Sequence, residues 1–243
     1  CRAKDVVEGS KEQIERLQRW SQRNRSWAQF ALGTLYDKGI GVKEDQKRAA
    51  ELYTLAADQG HHSAQFNLAG MYMKGKGVIQ SDTLSLKYLK LCADQGFASA
   101  QSGVGICYGE GTGVEQSDTE ACKYYKLAAD QGDHHAQFKL ATMYRDGRGV
   151  IKSDELAFAF FKLSAKAGDA NRQAIVGFYY YIGTAVERSN TKAREWLTKA
   201  AKQGHEQAIK KLKILDEQEG IQTSSSSSNF TDNSTVLCSK CNK

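Results

Sequence analysis

Proline is missing from all 243 residues of this chain. Because Pro fixes φ and removes a backbone donor, a chain without it can run helix after helix with no kink. Long apolar runs are missing too: nothing approaches the roughly 18 consecutive apolar residues that a spanning helix needs, so no membrane span is expected. No signal peptide opens the chain. It begins at Cys1 and not at Met, and is read as a segment of a longer protein with a cytoplasmic setting. Neither sign of charge dominates, with 34 Lys and Arg against 28 Asp and Glu. Bases cluster locally at Arg16, Arg19, Arg23 and Arg25 and again at Lys210, Lys211 and Lys213. Nucleic-acid binders concentrate base on one face and interleave aromatics; these cations read instead as solvated helix faces, and no nucleic-acid partner is expected. No Ser/His/Asp or Cys/His set converges and no paired carboxylates recur at a useful spacing, so no enzyme is expected.

What is present is a repeat. Asp58-Gln59-Gly60 returns as Asp94-Gln95-Gly96 and Asp130-Gln131-Gly132, then in looser form ending at Gly168 and Gly204, each step being 36 residues. A second marker keeps the same step: Gly39-Ile40-Gly41-Val42, Gly75-Lys76-Gly77-Val78, Gly111-Thr112-Gly113-Val114, Gly147-Arg148-Gly149-Val150 and a worn copy at Gly183-Thr184-Ala185-Val186. Two markers in one register define repeats 25–60, 61–96, 97–132, 133–168 and 169–204. Within each, Leu32, Leu35 and Tyr36, then Leu68, Met71 and Tyr72, then Leu140, Met143 and Tyr144 have the i, i+3, i+4 spacing of an amphipathic helix. A second segment carries Ala49, Leu52, Tyr53, Ala56 and Ala57, matched by Ala121, Tyr124, Tyr125, Ala128 and Ala129. Small slots beside aromatic ones let two helices approach closely. The pattern is therefore all-α, a row of helical hairpins.

The punctuation agrees. Asp45, Ser81, Ser117, Ser153 and Ser189 stand where an N-cap belongs, Ser117 with Glu120 as a capping box. Gly60, Gly96, Gly132, Gly168 and Gly204 close the second helices. Residues 10–24 read as a lone second helix, opened by a Ser10–Gln13 box and closed by Asn24 in the glycine slot, and 205–216 as a lone first helix whose Lys210, Lys211 and Lys213 turn outward. Half-units with polar outer faces keep such a row soluble, and a monomer is expected. Residues 217–237, with five consecutive serines, bury too little to order themselves and read as a linker. Cys92, Cys107 and Cys122 fall in small or apolar slots and read as buried free thiols.

These units resemble the Sel1-like repeat family. The resemblance rests on Ala64-Gln65, Leu68, Tyr72, Gly75-x-Gly77-Val78 and Ala56-Ala57-x-x-Gly60, and covers residues 25–216. It implies a right-handed α–α solenoid acting as an adaptor or scaffold for a protein or extended peptide, with no cofactor of its own. Arg172 and Ala185 depart from the pattern, so the fifth repeat is expected to pack less regularly. At the ends, Cys1 (within 1–9) resembles the last zinc ligand of an upstream RING-type finger, and Cys238-x-x-Cys241 (within 238–243) the first half of another zinc module. Zinc-flanked repeats of this kind occur in eukaryotic proteins, so an alternative is the substrate-recognition segment of a RING-type ubiquitin ligase. One Cys or one CxxC pair is too few for a closed zinc site, and uncoordinated cysteines are the competing reading.

The framework slots hold steady while one face of the first helices varies: Ala31, Asn67, Gly103, Lys139, Ile175, then Thr34, Gly70, Ile106, Thr142, Phe178, then Asp37, Met73, Gly109, Arg145, Tyr181. A solenoid receives extended partners on its inner surface. Asn67, Met73, Lys139, Arg145, Phe178 and Tyr181 are the candidate partner contacts. The competing reading is ordinary surface, with Phe178 under the terminal half-unit.

Overall fold

A computed structural model describes residues 9–227, and every regular element among them is an α-helix. The chain divides into two compact units, Cys1–Ser164 and Ala165–Lys243. Cys1, Cys238 and Cys241, and with them both zinc-module readings, lie outside the described residues.

The first unit contains α1 (Lys11–Gln22), α2 (Ser26–Lys38), α3 (Gln46–Asp58), α4 (His62–Lys74), α5 (Asp82–Ala93), α6 (Ala98–Glu110), α7 (Asp118–Asp130) and α8 (His134–Asp146), and α9 (Asp154–Ala165) closes it. From α1 to α8 each helix packs on the next. The even-numbered helices are the first helices of the repeats and the odd-numbered ones from α3 onward are the second. The i and i+3 residues are the core: Leu32, Leu35, Leu68, Met71, Leu140 and Met143 are all buried, with Tyr53, Tyr125 and Phe161 from the second helices, while Tyr36, Tyr72 and Tyr144 at i+4 are half-buried against them. Burying a side chain of this size contributes about 1.5–3 kcal/mol, so each hairpin gains its stability from the face it presents to its neighbours.

Each helix start is fixed locally. Asp45, Ser81, Ser117 and Ser153 accept the backbone N–H three residues on, from Arg48, Leu84, Glu120 and Leu156. At Ser10 both halves of the capping box form with Gln13. At Ser117 only the first half does, because the Glu120 carboxylate turns to Lys123 Nζ at 2.5 Å. Asn24 takes φ +55°, the left-handed closure its slot required.

The corner between the two helices of a repeat has a tighter requirement. Gly77 has φ +68°, and a Cβ built on it would lie 2.1 Å from the Gln46 carbonyl oxygen. The corner backbone therefore rests directly on the start of α3, the second helix of the preceding repeat. Gly113 and Gly149 repeat this approach at Asp82 and Asp118.

The second unit contains α10 (Ala170–Ile182), α11 (Asn190–Ala201) and α12 (Glu206–Ser227). α11 packs on both α10 and α12. Val176, Tyr180, Leu197 and Leu215 are buried among the small residues Ala174, Ala193, Ala200 and Ala208. Asp169 and Ser189 cap α10 and α11. One of the two departures expected to disturb this repeat is absorbed: Ala185 adopts φ +59° in place of the second corner glycine, and both flanking helices form. The other leaves a mark, since Arg172 is half-buried where Ala28, Ala64, Ala100 and Ala136 are fully buried. Two readings of the carboxyl-terminal stretch change. The helix does not stop at Asp216 but runs to Ser227, so the first part of the 217–237 linker is helical; no proline interrupts it, and Gly220 does not take a positive φ. Lys211 does not turn outward but lies half-buried, with Nζ 4.2 Å from the Tyr181 ring centroid.

Candidate interaction surface

A scaffold surface needs a frame that holds its helices in register, and in the first unit buried glutamines supply it. Gln65 Nε2 donates to the Ala57 carbonyl at the end of the preceding repeat, while its Oε1 accepts from Gln95 Nε2 at the end of its own repeat (3.1 and 2.8 Å). Gln101 makes the same pair with Ala93 and Gln131, and Gln29 accepts from Gln59. The amides of Gln65 and Gln101 thus give a helix-end carbonyl a second donor, beside the N–H that Ala57 and Ala93 already accept from Gly60 and Gly96. The sequence puts Ala167 where the other repeats have this second glutamine, and Gln137 Oε1 instead lies 3.2 Å from His134 Nδ1. In the second unit Gln203 donates to Gln173 Oε1 and to the Gly168 carbonyl.

Aromatic pairs add to the frame. Tyr72 stacks on Tyr88, Tyr108 on Tyr124 and Tyr144 on Phe160, with centroids 5.8–5.9 Å apart. Close packing between first and second helices is set at one slot. A Cβ added to Gly105 would lie 2.8 Å from the Tyr125 ring, whereas the same slot holds Ala69 in the repeat whose facing residue is Leu89.

On this frame sit the candidate contacts. In the first unit Asn67 is half-buried on α4, and the nearby Tyr53 hydroxyl donates to Thr34 Oγ1 at 3.2 Å. Met73 is exposed at the end of α4. Lys139 is half-buried on α8. Arg145 is exposed but held by a two-point pair with Asp146 (2.8 and 3.1 Å), with its guanidinium also 6.0 Å from the Phe161 ring. In the second unit Phe178 and Tyr181 are both half-buried, one helical turn apart on α10. Arg188 and Lys211 both approach the Tyr181 ring. The structure thus gives Arg145 intramolecular partners, which the variability of its slot does not reveal.

Sequence reasoning also missed a surface whose signal is constant and not variable. Leu55, Leu91, Leu127 and Leu163 precede the buried small pair of α3, α5, α7 and α9, and all four are 38–50% exposed. Leu127 lines an open cleft of about 380 Å³ between α5 and α7, with Asp94, Glu120, Lys123 and Tyr124.

Rings join the first-helix ends of three repeats: Phe30 stacks on His61 at 4.6 Å, His61 on His62, and His62 meets Phe97. His61 Nδ1 also accepts the Ala64 N–H, capping α4. Burial, then the neighbouring His62, push the His61 pKa below its usual value. A folded-state pKa below the unfolded one means the unfolded chain takes up the proton first, so stability falls as pH drops below about 6.5 toward the folded value. His61→Asn keeps an N-cap acceptor without a titrating ring. Its urea midpoint is expected to change less between pH 7 and pH 5 than that of the parent chain; equal slopes would remove His61 as the cause.

The three described cysteines, Cys92, Cys107 and Cys122, are buried free thiols as read from their slots. Burial raises the Cys92 thiol to about 11, so it stays protonated and packs as a small apolar group. Among the described residues no cluster of three His, Cys, Asp or Glu could hold a metal ion, and no helix is long and apolar enough to cross a membrane.

The family model for the Sel1 repeat matches five times, at residues 28–61, 62–97, 98–133, 134–169 and 173–205. The chain belongs to the Sel1 repeat family. The fifth Sel1 match begins just after Arg172, the residue that departs from the small-Ala slot. Among solved structures, a Sel1 repeat protein from Oxalobacter formigenes is 30% identical, with a TM-score of 0.75 and coverage of 81% of each chain. The protective antigen c5321 of uropathogenic Escherichia coli, described as having an SLR fold, is also 30% identical, with a TM-score of 0.77 over 80% of this chain. This chain spans 42% of that protein's length. No curated protein sequence matches. The family and the run of consecutive helix pairs make the fold an all-α solenoid, and Sel1 repeats generally serve protein–protein interaction.

Proposed function

We propose that this Sel1 repeat chain is a scaffold that receives a protein or extended peptide segment on the variable face of its first helices. What supports the reading is a division of labour inside each repeat. The glycine corners, glutamine pairs and stacked tyrosines recur at 36-residue steps and are consumed by packing. The face slots change chemistry from repeat to repeat and stay at least partly accessible at Asn67, Met73, Lys139 and Arg145 in the first unit and at Phe178 and Tyr181 in the second. A surface that carries little of the packing between repeats can be tuned to a partner without loss of fold.

The test is comparative affinity purification with the parent chain and with Lys139→Glu/Arg145→Glu. Reversing two exposed or half-exposed charges leaves the fold intact within about 0.5 kcal/mol per site and is expected to deplete at least one partner severalfold. Arg145 must leave Asp146 to engage a partner, so Asp146→Asn is expected to change recovery of the same partner. Unchanged recovery of every partner in both variants would remove the first-unit contacts from the reading.

A further inference from the structure

We propose that the face around Tyr181 in the second unit docks an acidic, leucine- or isoleucine-containing peptide segment of a partner protein; this rests on the scaffold reading and adds the chemistry of the occupant.

The residues come from three elements. Tyr181 lies in the last turn of α10, Arg188 in the corner that follows, and half-buried Lys211 on α12. The Arg188 guanidinium carbon is 5.6 Å and Lys211 Nζ 4.2 Å from the centroid of the same ring. A ring draws cations to its negative face and so holds two long, otherwise mobile side chains in place. Neither cation forms an ion pair among the described residues. Asp216 is taken by Arg194, and Glu195 by Lys199. The pattern extends outward, with Lys192 5.5 Å from the Tyr180 ring. Of residues 165–227, ten are Lys or Arg and seven are Asp or Glu. Two positioned and uncompensated cations suit carboxylates, since charge-assisted hydrogen bonds are stronger than neutral ones and a guanidinium can accept two points of contact.

The rest of the face selects among anions. Ile182 is 65% exposed beside Tyr181, Ile214 on α12 is 39% exposed, and Phe178 is half-buried one turn back on α10. Apolar residues next to fixed cations favour a peptide with both kinds of side chain over a free anion. The Tyr181 ring already carries two cations and is not the open stacking platform that single-stranded nucleic acid uses.

The experiment uses the full chain and a fluorescent extended peptide of glutamates interrupted by leucines, compared with its glutamine counterpart and with an oligothymidylate of matched charge. The acidic peptide is expected to bind most tightly, to weaken as salt is raised, and to lose at least about tenfold in affinity in Arg188→Glu/Lys211→Glu. Lys43→Glu/Lys76→Glu, two exposed cations of the first unit outside the candidate contacts, is expected to bind it unchanged. Should the double reversal fail to fold by circular dichroism, Arg188→Gln/Lys211→Gln is read in its place, with a severalfold loss expected. Equal binding of the acidic and glutamine peptides, tighter binding of the oligothymidylate, or full affinity in the Arg188/Lys211 variant would overturn the proposal. Loss confined to the Lys139/Arg145 variant would overturn it while leaving the scaffold reading intact.

Discussion

Gly77→Ala is expected to lower the stability of the chain by about 3 kcal/mol, read as the shift in a urea midpoint at unchanged slope. Two costs add at this position. The left-handed φ of +68° costs a Cβ-bearing residue about 1–2 kcal/mol. The new methyl would also lie 2.1 Å from the Gln46 carbonyl oxygen, so the corner must lift away from α3, an over-packing cost of about 1–3 kcal/mol. Gly60→Ala separates the two. Its φ is +81° but no atom lies within 4 Å of the added Cβ, so only the first cost applies. A Gly77 variant no less stable than the Gly60 variant would show that the corner yields freely and that backbone contact does not set the spacing of the repeats.

The second large effect lies inside a hairpin. Tyr125→Ala is expected to cost about 3–5 kcal/mol, because a fully packed ring is replaced by a cavity the frame cannot close. Gly105→Ala acts on the same contact from the other side. Its Cβ would meet the Tyr125 ring at 2.8 Å, and the over-packing is expected to outweigh the roughly 1 kcal/mol that Ala gains over Gly in a helix. The neighbouring repeat suggests the remedy, since it pairs Ala69 with Leu89. Gly105→Ala combined with Tyr125→Leu is therefore expected to be more stable than the sum of the single changes by on the order of 1 kcal/mol. Strict additivity in that cycle would mean that the two residues do not share one packing site.

The success of sequence reasoning here tracks how local each signal is. Ser81, Ser153 and Ser189 were legible as N-caps because the donor each one satisfies lies three residues on. Asn24 was legible because a left-handed closure has few occupants. Where two local partners compete, the pattern alone does not decide: Glu120 had Ser117 on one side and Lys123 on the other, and the ion took it. The glutamine pairs were recognisable as a family feature at Gln65, but their partners stand 30 residues away, and no spacing rule within one helix connects them. Lys211 illustrates the same limit on the surface. Periodicity places it on a helix; only the fold places Tyr181 beneath it. The variable slots mark a helix face, yet could not tell which of its residues were already engaged, as Arg145 is by Asp146.

The resting of each corner on a carbonyl of the previous repeat has an evolutionary consequence. At Gly77, Gly113 and Gly149 the surfaces that meet are main chain on main chain, and main chain is the same in every copy. A unit joined in this way does not need a neighbour of particular sequence, only a neighbour of the same shape. Duplicating or deleting one whole module recreates the junction without a compensating substitution, whereas gain or loss of a few residues would break it. Such a lineage can change its reach in single strides of one module, leaving each new copy's outward side chains free to diverge.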